Sequence, residues 1–430
     1  MARSANMPLT AVEQALHGEL EALCAVEPEW LSAHRKSSWE KFGGLPTRAN
    51  EEYHYTDLRQ RLRAEPGDSG AKPRKSPIDM SIGNLGDLLI SIDHGRVTLQ
   101  SAAIPSGITF TTLARAIECD RPLAEKLLAR ENTECGALPH LSAALASDGI
   151  DLRVQRGHAQ TIIVHNRTGG ARLSHFVELE AGAEAVLIDF NEGAPVGEIL
   201  SHQSTRISLA QGAHPTHLIL SANELAANIN GVDVQIGSNA RYECRAFVAG
   251  SALARFDFKV AFAGWNAAAD VSAFLLSSRE EHIDFNLNVL HGAPNCASNC
   301  AIDCVAGIQG RIIARCMAHV ESGANGTNSR QAIRGVLLGA SSEIDAKPEL
   351  RIFDDDVKCA HGTAIGALDE SAIFYLRSRG IPEIEARMML LEAIAEMFLS
   401  RIVPASGREL FGAAVTHALR NVILEDKPNA

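Results

Sequence analysis

The sequence predicts a mainly β protein, a β-solenoid with helical regions at its two ends. Three observations carry that expectation. Short apolar stretches that alternate with polar residues fill the middle of the chain, from about Asp148 to Phe353. Turn residues recur through that region at intervals of roughly 25 to 30, the repeat range of solenoids. Apolar residues at helical spacing are confined to the first and last parts of the chain.

At the N-terminal end, Val12, Leu16, Leu20 and Leu23 make a helical stripe over Thr10 to Cys24. Trp30, Leu31, Trp39 and Phe42 predict a second helix, broken at Gly43-Gly44-Leu45-Pro46. Residues 64–77, rich in Gly, Pro, Ser and Lys, read as a linker. Leu113, Ile117, Leu123, Leu127 and Leu128 predict a further helix over Thr112 to Arg130. The N-terminal helical region is therefore expected over 1–147.

In the middle region, Asp151 to Val154, Thr161 to Val164, Phe256 to Val260 and His282 to Val289 have strand character. The recurring turn tokens are Gly182-Ala183, Gly212-Ala213, Gly237 to Ala240, Gly264 to Ala267, Gly292-Ala293, Gly323 to Asn325 and Gly339-Ala340. Coils that stack only on their neighbours bury a narrow aliphatic core, which suits an aromatic content of 5%. A β-sandwich with glycine in its turns remains the competing architecture. The β core is expected over 148–358.

The remainder, 359–430, is expected to be helical. Asp369 can cap a helix through Ile373, Phe374 and Leu376 that ends near Arg379 and Gly380. Pro382 suits the first turn of the next helix. Ser406 and Glu409 have the spacing of a capping box before a last helix.

A net charge of −12 with no basic block argues against nucleic acid and anionic membranes as partners. No apolar run long enough to span a membrane is present, and Met1 to Glu13 lacks the apolar run of a signal peptide. Nine irregularly spaced cysteines do not form a disulfide framework, so reduced thiols in the cytoplasm are expected.

No phosphate-binding loop, dinucleotide fingerprint, nucleophile elbow or metalloprotease helix occurs. The pair Cys359 and His361 offers a thiolate and an imidazole, ligands suited to iron, zinc or iron–sulfur species. Two residues apart on a strand, they share a face. They make half a ligand set, since four-coordinate metals need more. Cys296, Cys300 and Cys304 would stand about 13 Å apart along a strand and read as core thiols. Asp354-Asp355-Asp356 is either a turn or a cation site, and His214, His217, His291 and His319 show no partner pattern.

Glu343 to Leu350, continuing through Asp355 to Gly362, Ala364 to Gly366, Leu368 to Glu370 and Phe374 to Ile381, closely resembles the C-terminal signature of the SufB/SufD family. Pro28 to Leu31, Arg35, Gly44 to Arg48 and Tyr53 to Leu58 are similar to its N-terminal elements, in the form of the SufD branch. Gly362 follows His361 where SufB-like chains carry Glu, and Ser329 to Arg334 lacks the cysteine such chains carry before the Lys-Pro-Glu-Leu element. His54 departs from the Lys usual there.

The resemblance implies a right-handed parallel β-helix flanked by helical domains. It also implies a non-catalytic scaffold subunit of the SUF iron–sulfur cluster assembly complex. The partners implied are a SufB-like paralogue at the end of the β-helix and a SufC-like ABC ATPase on the C-terminal helices, around Phe374, Tyr375, Arg377 and Arg379. His361 and Cys359 would relay or ligate iron or a nascent cluster at the joint, with no cofactor stably bound. Self-association of the isolated chain is also expected. The alternatives are a β-helical polysaccharide enzyme using Asp354 to Asp356, or the SufB paralogue itself.

Overall fold

The computed structural model describes residues 9–62, 86–129, 137–167, 172–192, 200–222, 227–278 and 280–425. The linker expected at 64–77 lies outside them.

The first helix, α1 (Ala11–Val26), starts on a capping box in which Thr10 and Glu13 exchange side-chain-to-backbone hydrogen bonds. The second, α2 (Glu29–Phe42), stops at Gly43 in the left-handed conformation. Arg35 of α2 is buried against Glu27 and the carbonyls of Ala144 and Ala146. A short helix α3 (Leu58–Arg61) follows.

Sequence reading missed the next part. Strands β1 (Leu88–Asp93), β2 (Arg96–Leu99) and β3 (Ile108–Thr112) lie inside the region expected to be helical. Each is too short to show a period of its own; β1 and β3 are strands because solenoid strands β5 and β4 pair with them, and β2 because it pairs with β1. The helix expected over 112–130 is two helices, α4 (Leu113–Cys119) and α5 (Arg121–Leu128). Asp120 breaks the run and caps α5, accepting from the Leu123 N–H. Helix α6 is Ala137–Leu145.

The solenoid has two parallel sheets that the chain visits alternately. One holds β4 (Ile150–Val154), β6 (Arg172–Leu179), β8 (Ser201–Leu209), β10 (Asn228–Ile236), β12 (Leu253–Phe262), β14 (His282–His291), β16 (Arg311–Val320) and β18 (Glu343–Ile352). The other holds β5 (Ala159–Asn166), β7 (Glu184–Asn191), β9 (His214–Ala222), β11 (Arg241–Ala249), β13 (Ala268–Ser277), β15 (Ala297–Ala306), β17 (Thr327–Leu337) and β19 (Val357–Ala367). Ala159 pairs with Glu184, and Arg311 with Glu343, so one turn takes between 25 and 32 residues. This is the spacing of the turn tokens, and it excludes the sandwich, whose sheets are antiparallel. The strands extend to Ala367, past the expected boundary at 358.

The repeated Gly and Asn tokens have a stereochemical reason. Gly182, Gly212, Asn239, Asn266 and Asn295 occupy one corner of successive coils at positive φ, where glycine and asparagine are tolerated. Each N–H bonds a carbonyl of the next coil, from Gly182 to Gln211 at 3.0 Å through Asn295 to Asn325 at 2.8 Å. Asn266 also donates from its side chain to Asn239 at 2.7 Å.

The interior is aliphatic, with a stack of Phe256, Phe258 and Phe285 near its middle. The N-terminal helices cover the outer face of the even-numbered sheet, packing on Leu200, Ile229 and Leu253. Helices α7 (Glu370–Ser378), α8 (Glu383–Leu399) and α9 (Ala405–Glu425) cover the other outer face, with Phe398 and Phe411 packed near Phe274. Asp369 caps α7 as expected, accepting from Ser371 N–H at 2.9 Å. Ser406 does not cap α9, which begins at Ala405, so Ser406 falls inside the first turn.

Candidate functional site at the open end of the solenoid

Among the described residues, no strand stacks on the last coil, β18 and β19. Their outer edges present unpaired backbone N–H and C=O groups, and side chains that are buried in earlier coils are partly or fully exposed here. Register decides which residues face inward. Ser298 pairs with Ser329 and Ser329 with Cys359; Cys300 pairs with Gln331 and Gln331 with His361. Ser298, Cys300, Ser329 and Gln331 are buried in the interior, so Cys359 and His361 stand on the inner face of the open coil.

The structure therefore brings the two residues singled out in the sequence onto one face. Cys359 is half-buried; burial pushes its thiol up, and the Ser329 backbone N–H pulls it down. His361 is exposed. Among the described residues no group of three or more His, Cys, Asp or Glu side chains is placed to hold a metal. The pair remains half a ligand set.

The Lys-Pro-Glu-Leu element belongs to β18. Lys347 and Glu349 face outward and pair at 3.1 Å, and Glu349 also takes Arg315 at 3.1 Å. Burial alone would raise the Glu349 carboxyl, but those two cations outweigh it and hold it below its ordinary range. Pro348 and Leu350 face the interior. Proline is at home on an edge strand because no partner strand uses its missing N–H.

The other candidates resolve as structure. Cys296, Cys300, Cys304 and Cys316 are buried interior thiols, and burial pushes Cys304 up. The neighbouring Cys300 thiol and burial together raise Cys316 well above the ordinary thiol range. Protonated buried thiols are poor nucleophiles and poor ligands. His217 bonds Tyr242 at 2.9 Å, and burial depresses it to about 3. His291 bonds Ser298 at 3.0 Å, and burial lowers it to about 4. His214 faces Glu243, and His319 packs tilted against the Phe353 ring. Asp354 accepts from the N–H groups of Gly323 and Asp356, so the acidic run builds a turn.

Sequence reading missed the polar column beneath the pair. Ser298 donates to Ser329 at 2.9 Å, carrying polarity from His291 up to the coil below Cys359. A signal existed: Ser329 and Gln331 lie thirty residues before Cys359 and His361, one solenoid turn away.

The N-terminal motif serves as an anchor. Tyr53 is buried under the Arg255 guanidinium, and Thr56 bonds His282 at 2.8 Å, pinning this segment to the even-numbered sheet. At the other end of the sequence, α7 and α8 expose Phe374, Tyr375, Ile384 and Met389. Arg377 pairs with Glu383, and Arg379 lies 5.2 Å over the Tyr375 ring.

Residues 162–394, from the second coil strand through most of α8, match the family described as SUF system FeS cluster assembly, SufBD core domain. The chain belongs to the SufBD family. It is 26% identical over 365 residues to the iron–sulfur cluster assembly protein SufD of Escherichia coli, covering 82% of this chain and 84% of that one. A SufBD family protein of Synechocystis is 37% identical over 129 residues, 30% of this chain and 27% of that one. The chloroplastic protein ABCI7 of Arabidopsis thaliana is 27% identical over 245 residues, 56% and 51% of the two chains. As a SufBD protein, the chain is a SufD-like protein of SUF-system cluster assembly, and its open coil lies within the matched core. No helix among the described residues is long and apolar enough to cross a membrane.

Proposed function

We propose that this chain is the SufD-type scaffold subunit of a cytoplasmic SUF complex, docking its open coil against a SufB-like paralogue. Cys359 and His361 would supply part of a ligand set for iron or a nascent cluster at that joint. The observation that carries the reading is their common position on the inner face of an uncovered coil. An open sheet edge invites a strand or coil of similar geometry, and a stacked partner coil would satisfy both edges at once. A half set of soft ligands at such a joint is completed by the partner's side chains.

The exposed apolar residues of α7 and α8, with Arg377 and Arg379, are the proposed seat of a SufC-like ABC ATPase. On this reading the chain catalyses nothing itself, holds no cofactor permanently, and draws energy from the partner's ATP hydrolysis. The isolated chain can cover its open edges with a second copy.

Co-expression with SufB-like and SufC-like partners tests the proposal. Co-purification with iron and sulfide in the product is expected. His361→Ala is expected to leave the complex intact and to reduce its iron and sulfide content. Unchanged cluster assembly in that variant would remove His361 from the site.

A further inference from the structure

We propose that Gln331 is the positioning residue for His361: its amide oxygen accepts an imidazole N–H and leaves the other ring nitrogen's lone pair facing the open end beside Cys359. The inference rests on reading His361 as a ligand.

Gln331 is 4% exposed. Its Nε2 donates to the Glu349 carbonyl at 3.2 Å. A carbonyl only accepts, so that bond fixes which end of the amide is nitrogen. The opposite atom, Oε1, is then a buried acceptor with no hydrogen-bond partner among the described residues. Leaving such a group unsatisfied costs about 1–3 kcal/mol.

The ladder places two side chains beside it on the inner face. Cys300 lies on one side, paired with Gln331 in register. His361 lies on the other, paired with Gln331 in register and one strand spacing away, about 4.8 Å. The His361 ring is exposed. In the proposed arrangement this ring turns inward, so that an N–H meets the orphaned oxygen. A ligating histidine ordinarily donates its second ring N–H to a fixed acceptor, which sets tautomer and orientation and is worth about 10–100-fold in metal affinity. Gln331 supplies that acceptor, itself held by the backbone of the Lys-Pro-Glu-Leu strand.

The test uses the full-length chain with ¹⁵N-labelled histidine at about pH 8, where an ordinary imidazole is neutral. The His361 signals are identified by their loss in His361→Gln. One dominant tautomer is expected in the wild type. Gln331→Met, similar in length but without the acceptor, is expected to shift His361 to the mixture of a free imidazole. Should Gln331→Met fail to fold, Gln331→Asn, whose oxygen sits one methylene further back, is expected to show the same shift. Unchanged His361 shifts in the folded variant overturn the proposal.

A Co(II) titration of the same chains gives a second readout. Gln331→Met is expected to weaken binding by about 10-fold or more. Wild-type Co(II) affinity in His361→Gln would overturn the ligand reading alone, because the tautomer comparison needs no metal.

Discussion

The guanidinium of Arg255 lies 3.9 Å from the centre of the Tyr53 ring, sandwiched between the N-terminal segment and the outer face of the even-numbered sheet. Asp257 and Asp284 flank it as ion-pair partners, and Arg255 is 1% exposed. One buried cation thus joins two carboxylates of the solenoid to an aromatic ring from a segment about 200 residues away in sequence.

Arg255→Ala leaves Asp284 buried and unpaired beside an empty space under Tyr53. Removing one partner of a buried pair costs about 3–5 kcal/mol. Urea unfolding is expected to show a loss of that order, and limited proteolysis should cut earlier between Leu45 and Leu62. Wild-type stability in the variant would mean that the N-terminal segment is held elsewhere.

Inside the second and third coils, Asp189 accepts from Gln203 at 2.8 Å and from Asn191 at 3.3 Å. Burial pushes its carboxyl up to about 7. In the unfolded chain it titrates near about 4. Between those values the folded state keeps a proton that the unfolded state has lost, so this group's contribution is most favourable below about pH 4 and declines as pH rises to about 7. Asp189→Asn removes the dependence. The variant is expected to gain on the wild type by up to about 1.4 kcal/mol per pH unit across that window. His175, which burial lowers to about 4, titrates in both proteins. Parallel stability-versus-pH curves would refute the assignment.

Asn295 sits at φ 57° in the corner column. Asn295→Gly is expected to change stability by less than about 1 kcal/mol, because glycine adopts that conformation freely. Asn295→Val forces a β-branched residue into it and is expected to cost about 1–3 kcal/mol. Thermal unfolding midpoints of the two variants give the comparison, and equal midpoints would count against strain at the corner.

Phe374 is 73% exposed and Tyr375 57% on the outward side of α7. Phe374→Asp combined with Tyr375→Asp is expected to leave the melting temperature of the isolated chain within about 2 °C, as surface changes do. Co-purification of a SufC-like ATPase is expected to be lost. Retention of that partner would move its seat off α7.

Much of the architecture was legible without coordinates. The gaps between the tokens at Gly182, Gly212, Gly237, Gly264 and Gly292 set the coil length, and a stripe such as Ile384, Met388, Leu391, Ala395 and Phe398 can only be a helix. The pairing of β1 with β5 and of β3 with β4 was not legible, because strands of four to six residues become strands through their neighbours' hydrogen bonds. Ser406 misled for a local reason: its spacing to Glu409 fits a cap, but the backbone had already turned helical at Ala405.

By itself, the sequence determined the solenoid period, the helical ends, the Cys359–His361 pair and the family signature around it. These follow from local stereochemistry and spacing, which the chain carries with it. The tertiary structure alone decided that the pair stands on an uncovered inner face, that Cys300 and Cys316 are sealed in the core, and that Gln331 lies beside His361 with a free oxygen. Facing and burial depend on which coil stacks on which. A one-residue slip in that register would turn each of these side chains to the opposite face of its sheet.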